Sequence, residues 1–320
     1  MTEQPDHPPL GATAGRPPWE RLPSAFRELV DDSLDSPVAS AQVQQGGFTP
    51  GVAARLILTN GTRVFVKALP DDHLLAHRYR AEAATSKALP TGVPAPRLRL
   101  YRDAEGWVLL VFDDVEGRHP DLSPGSPDVP AVAAAVEAMT ESLTPCPLPD
   151  VPSASTICVP MIHGWDELAA DPPADLGAWE RDNLPLLVEL EAAWAARADG
   201  PALVHGDIRP DNLLITAHET VVVVDWAKPR RGNQWRDLTD LIPHLIMAGH
   251  IPDAAERALH GLQFWESAPA EAITGYAAAY AGFWTRMSRK PDPPGVPNLR
   301  AYQRRAAGAA LAWTRFRTGW

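Results

Sequence analysis

The chain has 320 residues, 45% of them hydrophobic and 22% charged, the ordinary balance of a globular protein that can bury a core. Its formal net charge of -11 argues against binding to nucleic acid or an anionic membrane, because phosphate groups are held mainly by Lys and Arg. No apolar run approaches the roughly 18 to 20 residues that span a bilayer, and no secretory signal opens the sequence, so a cytoplasmic location is expected.

The first part of the chain predicts a strand-rich lobe. Its clearest piece is a β-hairpin, in which two strand-like runs flank the Asn60-Gly61 pair that favours a tight turn. A helix that ends at Pro90 follows the hairpin. The predicted order is a disordered segment over residues 1–20, a short helix near 24–34, strands over 52–58 and 63–69, a helix over 73–89, and strands near 97–102 and 107–112.

The rest of the chain predicts a helical lobe. Amphipathic or Ala-rich stretches indicate helices near 128–143, 176–198, 237–249, 252–263, 268–286 and 299–316, with a second hairpin around residue 218. Cys146 and Cys158, the only cysteines, lie in proline-rich loop sequence, which argues against a disulfide framework or a zinc site. The sequence therefore predicts an α+β arrangement, with lobes over residues 21–115 and 116–320 and a cleft between them.

The strongest chemical signal is the segment around His205-Gly206-Asp207, followed by Asn212 and Asp225. Two apolar runs after it form the second hairpin, and symmetric pairing of Leu213 with Val224 would set Asn212 opposite Asp225. One carboxylate and one carboxamide oxygen at the open end of a hairpin suit Mg²⁺ that phosphates and water complete. Asp207 stands just before them, free to act as a base.

These residues resemble the catalytic segment of the aminoglycoside phosphotransferase family, whose members are relatives of protein kinases. The resemblance implies a protein-kinase-like two-lobed fold, with an N-terminal antiparallel sheet carrying one helix and a larger, mainly helical C-terminal lobe. It implies ATP as phosphate donor, Asp207 as acceptor of the substrate hydroxyl proton, and Asn212 and Asp225 as ligands of Mg²⁺. His205 is expected to orient the loop, and Trp226 departs from the Phe of the protein-kinase Asp-Phe-Gly.

A second, independent match lies in the first lobe. Lys67 shares a strand face with Phe65 and Leu69, so its ammonium leaves an apolar surface and needs an anionic partner. Glu82 falls inside the apolar stripe of the helix predicted over 73–89, and the two charges would satisfy one another. This resembles the kinase ion pair that presents Lys to the α- and β-phosphates.

Three weaker features accompany these matches, two in the expected nucleotide site and one beneath the catalytic loop. Gly46 and Gly47 could form the loop that covers the phosphates, since glycine lets backbone N–H groups approach closely. The segment that includes Asp113 and Val115 ends the last strand of the lobe, where kinases present backbone groups to adenine. Asp237 matches the Asp that opens a helix beneath the catalytic loop in this family, with an expected role as a helix cap.

The sequence leaves the acceptor open. A small-molecule hydroxyl of an antibiotic, an amino alcohol or a sugar fits the resemblance, and a protein kinase or a nucleotide-binding scaffold without turnover are the rival interpretations. Aromatic residues could line a pocket or pack the core, and acidic residues could meet an aminosugar or face solvent. The aromatic candidates are Trp165, Trp179, Trp265 and Trp284, the acidic ones Glu180, Asp182, Glu189, Glu266 and Glu271, and the last helix is basic through Arg300, Arg304, Arg305, Arg315 and Arg317. The oligomeric state is not readable from the sequence.

Overall fold

The computed structural model describes residues 14–320, apart from the side chain of Pro160, and its first lobe is built on a five-stranded sheet. The strands are β1 (Val38–Val43), β2 (Val52–Leu58), β3 (Arg63–Pro70), β4 (Leu98–Ala104) and β5 (Trp107–Asp113). They lie in the order β1-β2-β3-β5-β4, and each neighbouring pair is antiparallel. The predicted Asn60-Gly61 hairpin is confirmed as β2 and β3, with Leu56 opposite Val64.

Two helices cover this sheet, one on each face. Helix α1 (Ser24–Ser33) packs on the face of the sheet that carries Val64 and Val66 of β3. Helix α2 (Ala76–Ala88) packs on the opposite face, with Phe65 and Leu69 of β3. Successive side chains of a strand point to opposite faces, so this alternation places one lobe core on each side of the sheet. Both helices were predicted, near 24–34 and over 73–89.

The N-terminal segment is ordered where the structure describes it. Disorder was predicted for residues 1–20. Residues 1–13 lie outside the described residues. For residues 14–20 the prediction is corrected. Trp19 begins a short 3₁₀ helix (Trp19–Arg21), is buried, and packs its ring against Phe26 with 6.0 Å between centroids. A large buried aromatic contact outweighs the proline-rich composition that suggested disorder.

The second lobe is mainly helical and is organised around a long helix, α11 (Ala270–Met287). Its core includes the buried rings of Trp194, Tyr276 and Trp313. None of the described helices combines the length and the hydropathy that crossing a bilayer requires. The helices are α3 (Asp128–Ser142), α4 (Ala154–Met161), α5 (Gly164–Ala170), α6 (Ala178–Asp182), α7 (Leu184–Ala195), α8 (Arg236–Met247), α9 (Pro252–Arg257), α10 (Gln263–Glu266), α11 (Ala270–Met287) and α12 (Leu299–Thr318).

Several elements of this lobe differ from the sequence prediction. The helix predicted over 176–198 is two helices, α6 and α7, because Pro185 lacks the N–H that would continue the first and instead opens the second. The helix predicted over 252–263 ends at Arg257. Helices α4, α5 and α10 were not predicted, and Cys158 lies buried on α4 rather than in a loop.

Four short strands complete the second lobe. They are β6 (Ala202–Val204), β7 (Leu213–Ile215), β8 (Val221–Val223) and β9 (Arg230–Gly232), paired as β6 with β9 and β7 with β8. In the β7–β8 hairpin Leu213 faces Val223, one residue away from the predicted Val224. The Thr216 N–H donates to the Thr220 carbonyl at 3.0 Å and closes a turn over residues 217–219. Glu219 in this turn adopts a left-handed φ of 57°, a conformation that usually takes glycine and that the sequence therefore did not mark.

Candidate active site

A cavity of about 230 Å³ lies between the five-stranded sheet and the β7–β8 hairpin, and we call it the sheet-side cavity. Ala53 and Phe65 line it from the sheet, and Leu214 and Val224 line it from the hairpin. Charged residues from both lobes lie along the same cavity. Apolar walls combined with a few convergent charges suit a ligand that has an aromatic ring and an anionic part.

Lys67 joins the two lobes inside this cavity. Its Nζ lies 2.5 Å from Oε2 of Glu82 on α2 and 2.6 Å from Oδ1 of Asp225 beyond the hairpin. The predicted Lys67–Glu82 ion pair is confirmed, and Asp225 is a second partner that was not expected. Burial disfavours the charge on Lys67, but the Asp225 and Glu82 carboxylates outweigh it and raise the pKa of the ammonium, so Lys67 remains a cation.

Asn212 and Asp225 both line the sheet-side cavity, although the predicted cross-strand pairing of these two residues is wrong. Asn212 lies opposite Val224, whose N–H donates to the Asn212 carbonyl at 2.9 Å. Asp225 follows with a left-handed φ of 69°, which is unusual for a residue with a side chain and turns the chain at this point. The Asn212 amide nitrogen donates to the Asp207 carbonyl at 2.9 Å, which leaves the amide oxygen to act as an acceptor.

Asp207 lines a second cavity, and the Asn212 hydrogen bond to its carbonyl joins it to the sheet-side cavity. Its Oδ2 accepts a hydrogen bond of 2.9 Å from Nζ of Lys228. Burial would raise the pKa of Asp207, but the Lys228 and Arg209 cations lower it, so the carboxyl group is ionised and can accept a proton. The sequence interpretation missed Lys228. Its signal was the scarcity of lysine, since it is one of four lysines in a chain with many arginines.

Asp237 holds the loop that carries Asp207. Its two carboxylate oxygens accept the backbone N–H groups of His205 at 2.8 Å and Gly206 at 2.9 Å. The expectation that Asp237 caps its own helix is wrong, because Asp237 lies in the first turn of α8 and its oxygens are used by the loop. Nε2 of His205 donates to the Val224 carbonyl at 3.0 Å, which ties the same loop to the hairpin.

Gly46 and Gly47 line the sheet-side cavity, and an arginine from the N-terminal segment holds their loop. Arg16 donates from Nε to the Gly51 carbonyl at 2.8 Å and from Nη2 to the Thr49 carbonyl at 2.9 Å. Its Nη1 donates to the carbonyls of residues 44 and 46. One guanidinium therefore fixes the loop from residue 44 to residue 51. No sequence signal pointed to Arg16, which lay in the segment expected to be disordered.

Asp113 and Val115 also line the sheet-side cavity, at the end of β5. The Asp113 carboxylate is occupied by an ion pair with Arg99, and the Val115 carbonyl accepts a hydrogen bond of 2.9 Å from Arg55. The N–H of Val115 has no acceptor among the residues that the structure describes. What this segment can offer a ligand is therefore the backbone N–H of Val115 rather than a side chain.

The second cavity has a volume of about 530 Å³ and lies among α2, the Asp207 loop and helices α8, α11 and α12; we call it the helix-side cavity. Asp207 and Lys228 line it, together with the α11 residues Phe283 and Trp284. Of the aromatic candidates from the sequence only Trp284 lines this cavity. Neither the five acidic candidates nor the five arginines of the last helix line it.

The fold and these two cavities define a kinase-like enzyme with a cleft between a strand-rich and a helical lobe. The model of the phosphotransferase enzyme family matches residues 49–285. The chain belongs to this family, and it is a phosphotransferase that acts on an alcohol group of a small molecule. No curated protein matches it in sequence.

Solved structures share the fold at low sequence identity. An aminoglycoside phosphotransferase from Alicyclobacillus acidocaldarius is 15% identical, with a TM-score of 0.59 over 88% of this chain and 92% of that one. The choline kinase LicA from Streptococcus pneumoniae is 16% identical, with a TM-score of 0.63 over 90% and 98%. An AMP-bound spectinomycin phosphotransferase is 10% identical, with a TM-score of 0.60 over 91% and 97%.

Proposed function

We propose that this chain is an ATP- and Mg²⁺-dependent phosphotransferase that moves the γ-phosphoryl group of ATP onto a hydroxyl of a small molecule. The observation that carries the proposal is the contact of Lys67 with both Glu82 and Asp225, because it brings a cation, a possible metal ligand and the apolar cavity walls together. A nucleotide in this cleft agrees with the AMP-bound state of the spectinomycin phosphotransferase that shares the fold.

The nucleotide would occupy the sheet-side cavity. Adenine would lie between the apolar walls, with a ring nitrogen accepting a hydrogen bond from the free N–H of Val115. Lys67 would face the α- and β-phosphates, and the loop with Gly46 and Gly47 would cover them with backbone N–H groups.

The oxygens of Asn212 and Asp225 fit Mg²⁺, a hard cation that prefers oxygen ligands and is usually held by one or two protein groups plus phosphates and water. The Asn212 amide is oriented by its donation to the Asp207 carbonyl, and Asp225 lies half-exposed in the cavity. No cluster of three or more His, Cys, Asp or Glu side chains able to hold a metal ion occurs between residues 14 and 320, which agrees with a site that phosphates complete. A bound ion would neutralise charge that develops on the transferred phosphate.

The substrate would lie in the helix-side cavity, and Asp207 would accept the proton of its hydroxyl. The hydroxyl oxygen forms the new bond to the γ-phosphorus, the bond from that phosphorus to the bridging oxygen breaks, and its electron pair leaves with ADP. The ionised state of Asp207 suits this task, because a base must be deprotonated before the reaction. Because the proposed reaction consumes ATP, we include a cytoplasmic location in the same proposal.

The test uses Asp207→Asn, which preserves shape and removes the acceptor charge. ADP release with ATP, Mg²⁺ and a panel of alcohols should fall on the order of 10²-fold or more, while ATP affinity stays within about threefold. Lys67→Ala should instead weaken ATP binding, and Lys87→Ala, an exposed lysine on the same helix as Glu82, is its control. A folded wild type that binds ATP and Mg²⁺ and transfers no phosphate to any alcohol would support the scaffold interpretation.

A further inference from the structure

Ion pairs neutralise most of the charge around the helix-side cavity. The pairs are Lys228 with Asp207, Arg209 with Asp211, Arg236 with Asp240, and Arg286 with Glu167. His244 adds no charge near neutral pH, because burial and the Arg209 cation lower the pKa of its imidazole to about 4. Two further cations line the cavity, Arg78 and Arg230, and neither has a carboxylate within ion-pair distance in the described part of the chain. The cavity is therefore positive.

Arg230 is the more telling of the two cations because it is buried, with 7% of its surface exposed. Its guanidinium donates to the carbonyls of Lys228 and Gly206, each at 3.2 Å, and contacts the Cys158 thiol, so its partners among the described residues are all neutral. A buried charge costs several kcal/mol of folding free energy unless an opposite charge compensates it. A cavity lined by such a cation favours the binding of an anion.

The position of Arg230 connects this charge with the reaction centre. A β-carbon on Gly206 would lie 2.6 Å from Cζ of Arg230, so the guanidinium lies directly on the glycine that precedes Asp207. Gly206 also has a left-handed φ of 72°. The glycine of the His205-Gly206-Asp207 segment therefore makes room for the arginine, and an anion bound by Arg230 would lie near the carboxylate that is proposed to accept the proton.

Arg78 brings the second unpaired cation from the other lobe. It lies on α2, is half-buried, and its guanidinium has no hydrogen-bond or ion-pair partner among residues 14–320. Apolar surface completes the cavity, with Tyr280, Phe283 and Trp284 contributed by α11. A molecule that fills the cavity would meet rings on one side and cations from both lobes on the other.

We infer that the acceptor is an alcohol that also carries an oxyanionic group, a carboxylate or a phosphate, held by Arg230 and Arg78 while its hydroxyl faces Asp207. The inference rests on the proposed function and names the substrate class for the same site. An amine-bearing acceptor would meet two uncompensated cations in place of the carboxylates that it needs. Cationic aminosugars and quaternary ammonium alcohols are therefore poor acceptors for this chain.

Matched acceptors test the charge separately from the shape. ADP release with ATP and Mg²⁺ is measured for 3-hydroxy-2-phenylpropanoate, for its carboxamide, and for 3-amino-2-phenylpropan-1-ol, which share one primary alcohol and one phenyl ring. The carboxylate should exceed the amide in kcat/KM by at least about tenfold, since the amide leaves the buried cation uncompensated, and the amine should be lower still. A second set of glycerate, glycerol 3-phosphate and glycerol distinguishes carboxylate from phosphate.

Two substitutions assign the preference to the unpaired cations. Arg78→Gln should lower the carboxylate-to-amide ratio at least about threefold, and Arg80→Gln, two residues along the same helix and paired with Asp103, should leave it unchanged. Arg230→Met removes the buried charge at similar volume and should lower the ratio further. Calorimetric binding of the same acceptors with ADP and Mg²⁺ present gives a readout that does not depend on turnover.

The possible failures are distinct. Phosphate transfer that favours the amine or the amide overturns the inference and leaves the proposed function intact. Transfer and binding that both ignore every oxyanion in the two sets, or a ratio that neither Arg78→Gln nor Arg230→Met changes, overturn it as well. A wild type that does not bind ATP with Mg²⁺ removes the proposed function itself.

Discussion

Nζ of Lys228 lies 2.9 Å from Oδ2 of Asp207, so the carboxylate proposed as the base of the reaction is held by a cation only three residues beyond Asp225. This contact orients the carboxylate and keeps it ionised. It also makes the base weaker than an isolated aspartate, because a stabilised anion takes up a proton less readily.

Lys228→Met removes that cation. The pKa of Asp207 should rise, and since the reaction requires the deprotonated carboxylate, the acid limb of the kcat/KM profile should move to higher pH. Turnover at neutral pH should fall about tenfold or more through lost orientation. The pH profile with saturating ATP measures both effects. Lys290→Met, an exposed lysine, should behave as the wild type, and an unmoved acid limb in a folded Lys228→Met protein would contradict the assignment.

Arg16→Ala should weaken nucleotide use with little effect on the fold. The loop from residue 44 to residue 51 loses the guanidinium that hydrogen-bonds its carbonyls, and ATP must then order it on binding. We expect the KM for ATP to rise about tenfold while kcat changes less. The matched variant is Arg21→Ala, whose side chain is exposed in the same N-terminal segment. Equal KM values for the two variants would show that the arginine does not support the loop.

Asn212→Ala should raise the Mg²⁺ concentration that gives half-maximal activity. The variant loses one of two proposed protein oxygens for the ion, and several-fold weaker metal binding is the usual scale for such a loss. A Mg²⁺ titration at fixed ATP measures it, with the midpoint of thermal unfolding as the check on folding. The proposal fails for this residue if the titration midpoint stays at the wild-type value while activity is retained.

The lowered pKa of His244 makes the stability of the protein depend on pH. Burial and the nearby Arg209 cation lower the pKa of its imidazole from 6.5 to about 4, so the unfolded chain binds a proton that the folded protein does not. Its contribution to stability is present above pH 6.5 and is lost as the pH falls toward 4, by about 2 kcal/mol between pH 7 and pH 5. Denaturant unfolding at both pH values should show His244→Gln losing about 2 kcal/mol less than the wild type over this interval.

Local sequence patterns determined the first lobe and the identity of most site residues. Strand alternation placed Lys67 on the same face as Phe65, and helical spacing placed Glu82 where it meets Lys67, because both rules follow from the geometry of single elements. The Asn60-Gly61 pair located its hairpin for the same reason. The roles of Asp207, Asn212 and Asp225 stay predictions, although the structure places all three at the cavities.

Tertiary structure decided what depends on residues far apart in the chain or on one unusual backbone angle. The register of the second hairpin goes with a turn that contains the left-handed Glu219, which no residue preference announces. The hydrogen bonds from Arg16 to the loop over residues 44–51 join segments about thirty residues apart. The helix-side cavity is positive because, among the described residues, Arg230 and Arg78 lack the carboxylates that pair with the neighbouring cations, and a net charge of -11 for the whole chain does not reveal this. Pairing of charges is a property of distances in space, so only the folded chain could show it.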